Sequence, residues 1–201
     1  MAIRTLFVSK LYEASLSGEP GFDPADLAQA CRAIAAQDKA GQAWCRDHAY
    51  GGYTSYASLN DLTSRDSLFD DLRRRLDKHL AAFARDLHLD LGKRLKLDSL
   101  WINILKPGAA HSGHIHPHSV ISGTLYVEIP KGSGSIAFED PRLPLMMAAP
   151  PRENVTPEEL RTVVTVEPKA GTLLLWESWL RHEVLAGKGR GHRLSISFNF
   201  A

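Results

Sequence analysis

Arg193-Leu194-Ser195-Ile196-Ser197-Phe198-Asn199-Phe200 is the stretch that decides the fold. Apolar and polar residues alternate without a break, and successive side chains of a strand point to opposite faces. Leu194, Ile196, Phe198 and Phe200 therefore share a core face, and Arg193, Ser195, Ser197 and Asn199 share the other. The polar row either meets solvent or lines a site for a polar ligand. Turned inward without a partner, it would be costly.

Working back from this strand, short strand patterns bounded by turn residues cover 182–185, 171–176, 162–166, 135–138, 120–129, 111–116 and 95–105. Lys106-Pro107-Gly108 and Pro130-Lys131-Gly132-Ser133-Gly134 supply two of the turns. About eight short antiparallel strands predict a sandwich, barrel or jelly roll. Residues 140–158, rich in Pro and Met, read as an inserted loop suited to a lid.

Upstream, the spacing changes to that of helices. Residues 3–10 suit a first strand, and Asp23-Pro24 with Asp26 marks a helix start. That helix is expected to end near Ala40-Gly41, with a loop over 47–63. A second helix begins near Ser64 and carries the apolar stripe Leu68, Leu72, Leu76, Leu80, Phe83 and Leu87, ending at Gly92. The expected architecture is one domain, 1–201. Residues 1–94 give a strand and supporting helices, and 95–201 a mainly β core.

The chain has 201 residues, 24 Lys+Arg against 23 Asp+Glu, and 44% hydrophobic residues, enough for a packed core and too balanced in charge for nucleic acid or a membrane surface. No stretch is long and apolar enough for a membrane span, and the N-terminus lacks a signal-peptide pattern. Cys31 and Cys45 form no CxxC motif and are expected to be reduced, which points to the cytoplasm.

The chemistry concentrates in His111-Ser112-Gly113-His114-Ile115-His116-Pro117-His118, four histidines within eight residues. In a strand, His114 and His116 can face one pocket, and so can His116 and His118. Neutral imidazoles are ligands for iron, zinc, copper and nickel. A second candidate, His182, follows the strand at 171–176, and Arg193 lies eleven residues further on. A guanidinium beside serine hydroxyls suits a carboxylate, which it grips with two parallel hydrogen bonds.

The order of these motifs resembles the 2-oxoglutarate/Fe(II) oxygenases of the bacterial and phage type. It runs HxH, Ser122-Gly123-Thr124-Leu125-Tyr126-Val127, Phe138-Glu139-Asp140-Pro141-Arg142, the segment Gly171 to His182, then Arg193-x-Ser195. The resemblance covers roughly 95–200 and implies a double-stranded β-helix (jelly-roll, cupin-like) core, Fe(II) as cofactor and 2-oxoglutarate as co-substrate. It also implies oxidation of an unidentified small molecule or peptide side chain.

By the same resemblance, His182 is the distal metal ligand, and Arg193 with Ser195 holds the far carboxylate of 2-oxoglutarate. At the first two ligands this sequence departs from the HxD/E pattern of the wider superfamily, having histidine throughout. The expected ligands are His114, His116 and His182, with His118 or the carboxylates of Asp140 and Glu139 as substitutes. Asn103 and Tyr126 are candidates for the co-substrate site, although an edge-strand hydrogen bond and a core aromatic explain them equally well. Trp176 and Trp179 read as packing around the metal.

Two other functions fit parts of the pattern. A cupin-like dioxygenase fits Gly108-x5-His114-x-His116 but leaves Arg193 unexplained. A non-catalytic jelly roll binding a small acid uses Arg193 but not the histidines. Open strand edges in such folds would allow a homodimer.

Overall fold

A computed structural model describes residues 1–201. Ten strands and three helices run in the order β1 (Leu11–Ser15), α1 (Pro24–Gln37), α2 (Lys39–Asp47), β2 (Gly52–Thr54), α3 (Ser67–Asp86), β3 (Leu97–Leu105), β4 (His111–His114), β5 (Ile121–Glu128), β6 (Ile136–Glu139), β7 (Val163–Val166), β8 (Thr172–Glu177), β9 (His182–Val184) and β10 (Arg193–Phe200). A six-stranded sheet, in the order β1-β8-β5-β10-β3-β2, faces a four-stranded one, β4-β9-β6-β7. All strand pairs are antiparallel. This is the mainly β, jelly-roll arrangement expected from the sequence.

The alternation of β10 sets the layers. Leu194, Ile196, Phe198 and Phe200 are fully buried against α1 and α3, in one core with Leu27, Cys31, Phe69, Leu72, Leu76 and Phe83. Both halves of the chain thus share this core. A smaller cluster, with Tyr126, Phe138, Leu174 and Trp176, lies between the sheets. Burying one such large apolar side chain is worth about 1.5–3 kcal/mol.

The cap of α1 follows the sequence, whereas α3 starts at Ser67 rather than near Ser64 and takes Asp66 as its cap. Asp23 Oδ1 accepts from the Ala25 N–H and Asp66 Oδ1 from the Leu68 N–H. The first helix, however, does not continue to Gly41. Asp38 breaks it and caps α2, accepting from the Gly41 N–H and from the Tyr53 and Ser58 hydroxyls. An added Cβ on Gly41 would stand 2.1 Å from the Asp38 carboxylate, so this junction needs glycine.

The first strand also differs from expectation. It is Leu11–Ser15, paired with β8, while Ile3, Leu6, Phe7 and Val8 are exposed and Phe7 has φ 56°, which breaks an extended run. Within the expected loop, Gly52–Thr54 pairs with β3. Gly52 lies so close to the Ile104 carbonyl that a Cβ would come within 2.0 Å, so a Gly-Gly pair that reads as a turn instead starts a strand. α3 ends at Asp86 rather than at Gly92.

Candidate metal centre and co-substrate site

Strand β4 and strand β9 lie side by side, with His114 opposite His182. Their rings are 4.4 Å apart between centroids, and His116 stands 5.2 Å from each. One ring nitrogen from each of the three lies within 4.8 Å of the others, close enough to ligate one ion. The backbone sets which nitrogens are free. His114 Nδ1 is 2.7 Å from the Ser112 carbonyl and His182 Nδ1 is 2.9 Å from the Leu180 carbonyl. A carbonyl only accepts, so both Nδ1 atoms carry the proton and both Nε2 lone pairs face the centre. Burial, with a smaller effect of the neighbouring rings, lowers the pKa of His116 to about 4 and of His182 to about 3. Both are therefore neutral at physiological pH, as metal ligands must be.

The substitute ligands lie elsewhere. His118 is exposed, at φ 69°, where the chain turns after Pro117. Asp140 is clamped by Arg142 at 2.8–2.9 Å, and Glu139 faces Arg181 at 3.6 Å. The cluster consists of imidazoles alone.

Sequence reasoning missed His111 and Tyr50. Strict alternation places residues 111 and 114 on opposite faces. On β4, however, His111 pairs with Val184 and His114 with His182, so three steps oppose two. This bulge at Ser112-Gly113 turns both histidines toward the same cavity. His111 Nε2 is hydrogen-bonded to the Tyr50 hydroxyl, which also donates to Asn103 Oδ1 at 3.2 Å. Asn103 in turn donates to Ser197 Oγ at 3.0 Å. In the register of β3 against β10, Asn103 stands opposite Ser195, so its bond to Ser197 is a diagonal contact that the sequence pattern does not announce.

At the other end of β10, Arg193 is 5% exposed, donates from Nη1 to Ser195 Oγ at 3.0 Å, and stacks its guanidinium on the Tyr126 ring at 4.9 Å. Its Nε has no partner, and no carboxylate of the chain pairs with it. Tyr126 lies behind Arg193 rather than on the cavity wall. A buried cation without a counter-charge is unfavourable by several kcal/mol unless a ligand supplies one. Arg193, Ser195, Asn103, His111 and the three clustered histidines all line one cavity of about 540 Å³. The donor set fits a divalent transition ion, and the unpaired guanidinium fits a carboxylate, in the same space.

Trp176 is buried with its ring 4.7 Å from His182, whereas Trp179 is half-exposed. The 140–158 loop does not cover the cavity. None of its residues lines it, because Asp140–Arg142, Arg161–Thr156 and Asp140–Thr162 bonds fold the loop onto the β6–β7 edge of the smaller sheet, away from β4.

Comparison with known proteins now adds to this geometry. Residues 99–199, half of the chain, match the family described as "Putative 2OG-Fe(II) oxygenase". The chain belongs to this family of 2-oxoglutarate- and Fe(II)-dependent oxygenases. No curated protein matches it. Among solved structures, a Pseudomonas putida prolyl-4-hydroxylase is similar at 18% identity and TM-score 0.61, over 96% of this chain and 92% of the other. HygX from Streptomyces hygroscopicus, solved with nickel and 2-oxoglutarate, is similar at 15% identity and TM-score 0.63, over 96% and 83%. The epimerase SnoN from nogalamycin biosynthesis, in complex with Fe3+ and α-ketoglutarate, gives 16% identity and TM-score 0.63, over 96% and 78%. At such identities these likenesses show the fold of the oxygenase, and the family match shows its cofactor and co-substrate, Fe(II) and 2-oxoglutarate. No helix of the enzyme is long and apolar enough to cross a membrane.

Proposed function

We infer that this oxygenase holds Fe(II) on His114, His116 and His182, holds the far carboxylate of 2-oxoglutarate on Arg193 and Ser195, and hydroxylates a C–H bond of a small molecule or a peptide side chain. The observation that carries the reading is the buried Arg193, unpaired by any carboxylate, in the same cavity as three convergent imidazoles. Bound iron and 2-oxoglutarate supply the oxidation: with O2 they give succinate, CO2 and the hydroxylated product, one oxygen atom entering succinate and one the substrate. The chain's own residues bind and orient. Ser195 fixes one arm of the guanidinium, and Tyr126 supports its face. Tyr50, His111 and Asn103 form the polar wall between. Trp176 and Phe138 pack behind His182 and keep water from that side.

The shared core supports reading 1–201 as one domain, with 1–94 buttressing the catalytic 95–201. Two free, buried cysteines and the balanced charge support a reducing, cytoplasmic setting without nucleic acid or membrane partners. The open edges at β1 and β7 leave room for a homodimer. A direct test is anaerobic titration of the Fe(II)-loaded enzyme with 2-oxoglutarate. A new visible charge-transfer band, lost in His182→Ala and Arg193→Met, supports the assignment. Full iron occupancy with no band would overturn the Arg193 role.

A further inference from the structure

The cavity that holds the histidines has an uneven charge inventory. Of its 26 lining residues, Arg193 alone carries a fixed charge, and no carboxylate is among them. Two sets of aromatic rings converge on the histidines from different elements. Trp44, Tyr50 and His111 follow one another at centroid spacings of 6.4 and 5.2 Å, from α2 to β4. Tyr56, Trp101 of β3 and His116 follow at 5.0 and 5.9 Å. Tyr56 and Ile115, both on the wall, are 52% and 46% exposed, so the mouth is apolar as well.

The polar side chains of this wall are largely engaged with one another. Asn103 is held by Tyr50 and Ser197, and Asn199 by Ser122 and Ser99. Ser197 Oγ accepts from Asn103 and Thr54 Oγ1 from the Tyr56 N–H, which leaves the protons of both hydroxyls to donate to a neutral carbonyl or hydroxyl. A carboxylate or phosphate needs several charged or backbone donors to offset its desolvation. With co-substrate on Arg193, none remains here. A cation would be drawn to the ring faces, but Arg193 and a divalent ion together outweigh the two negative charges of the co-substrate, and no carboxylate of the chain lines the cavity to offset the remainder.

On the reading of the site given above, we propose that the group oxidised here enters uncharged. It is a neutral, C–H-rich ring or flat apolar group, presented by a small molecule or by a peptide, and not a free amino acid, an organic acid, a phosphate ester or an ammonium. Aromatic walls favour such a group through area burial and edge-to-face contact. The two aromatic runs also present its C–H bonds toward the histidine centre, where oxidation takes place.

The test uses the Zn(II)-loaded, redox-inert protein saturated with 2-oxoglutarate. Trp44, Trp101 and Trp176 line the cavity, so indole fluorescence reads occupancy directly. One ring is offered with different charges: N-acetyl-L-phenylalaninamide, benzyl alcohol, L-phenylalanine, phenyl phosphate and phenethylammonium. The neutral probes are expected to bind at least about tenfold more tightly than every charged one, and Trp101→Ala to weaken them by a similar factor. Tyr56→Ala, at an exposed ring, serves should Trp101→Ala not fold. N-acetyl-Gly-Phe-Gly-amide against benzyl alcohol separates a peptide source from a small molecule. A charged analogue binding as well as the neutral ones overturns the proposal, as does the absence of a saturable signal from the whole series. Failure of 2-oxoglutarate to bind in the preliminary titration is a different result. It refutes the co-substrate assignment, and this proposal falls with it.

Discussion

Replacing Arg193 with methionine should move stability and co-substrate binding in opposite directions. In the unliganded protein the guanidinium is 5% exposed, makes one side-chain hydrogen bond and leaves Nε unpartnered. Exchanging a poorly compensated buried charge for an apolar side chain of similar volume is neutral to stabilising, by about 1–4 kcal/mol. For a chain of 201 residues, 1 kcal/mol shifts the melting temperature by about 2–4 °C. Arg193→Met without ligand should thus melt at the wild-type temperature or several degrees above it. The same change removes a charge-assisted pair to a carboxylate, worth about 1.5–3 kcal/mol per hydrogen bond. With two such bonds, 2-oxoglutarate should bind about 100- to 10,000-fold more weakly, at 1.4 kcal/mol per decade. Differential scanning fluorimetry of Zn(II)-loaded wild type and variant, with and without 2-oxoglutarate, reads both effects. The reasoning fails if the variant melts well below wild type yet keeps its stabilisation by 2-oxoglutarate, because Arg193 would then be a structural cation.

Three further outcomes follow from the same geometry. His182→Ala should lose stoichiometric iron, whereas His118→Ala should retain it, because His118 is exposed and off the cavity wall; metal analysis after gel filtration distinguishes the two. The metal-free fold should weaken as the pH falls from about 6.5 toward 4. His111 and His116, with pKa values lowered to about 4, and His182, lowered to about 3, stay neutral in the folded chain while the unfolded chain takes up their protons; each contributes at most about 1.4 kcal/mol per pH unit, read from urea midpoints at pH 7 and pH 5. Asp38→Ala should cost about 2–4 kcal/mol in urea unfolding, since it strips the α2 cap and leaves the Tyr53 and Ser58 hydroxyls without their acceptor.

Wherever one face of an element was packed and the period unbroken, the sequence could be read. Leu194 to Phe200 gave both the strand and its inner face, and Leu72, Leu76, Leu80 and Phe83 of α3 followed from spacing by three and four, although the first turn buries Phe69 rather than Leu68. The departures share a cause, which is side-chain or backbone contact between segments distant in sequence. Asp38 interrupts a helical pattern because Tyr53 and Ser58, fifteen and twenty residues away, converge on its carboxylate. Gly52 starts a strand because β3 needs the backbone to approach closely. His111 enters the cavity through a bulge whose only trace in the sequence is Ser112-Gly113, where an added Cβ on Gly113 would meet Arg181 at 2.5 Å.

With the ligand set proposed above, the metal is held by histidine alone. A carboxylate ligand would offset part of the charge of a divalent ion; three imidazoles offset none, and Arg193 adds a further positive charge in the same cavity. The dianionic co-substrate is then the only counter-charge available, so metal and 2-oxoglutarate should bind with positive coupling. By linkage that coupling is reciprocal: 2-oxoglutarate should tighten the metal as much as the metal tightens 2-oxoglutarate, typically by 1–3 kcal/mol. Replacing His116 by aspartate should reduce the coupling, because the ligand carboxylate supplies charge before the co-substrate arrives. Calorimetric titration of Zn(II) with and without 2-oxoglutarate, for wild type and His116→Asp, measures it in both directions. Equal zinc affinities in the presence and absence of 2-oxoglutarate for the wild type would show that the two ligands do not share one electrostatic site.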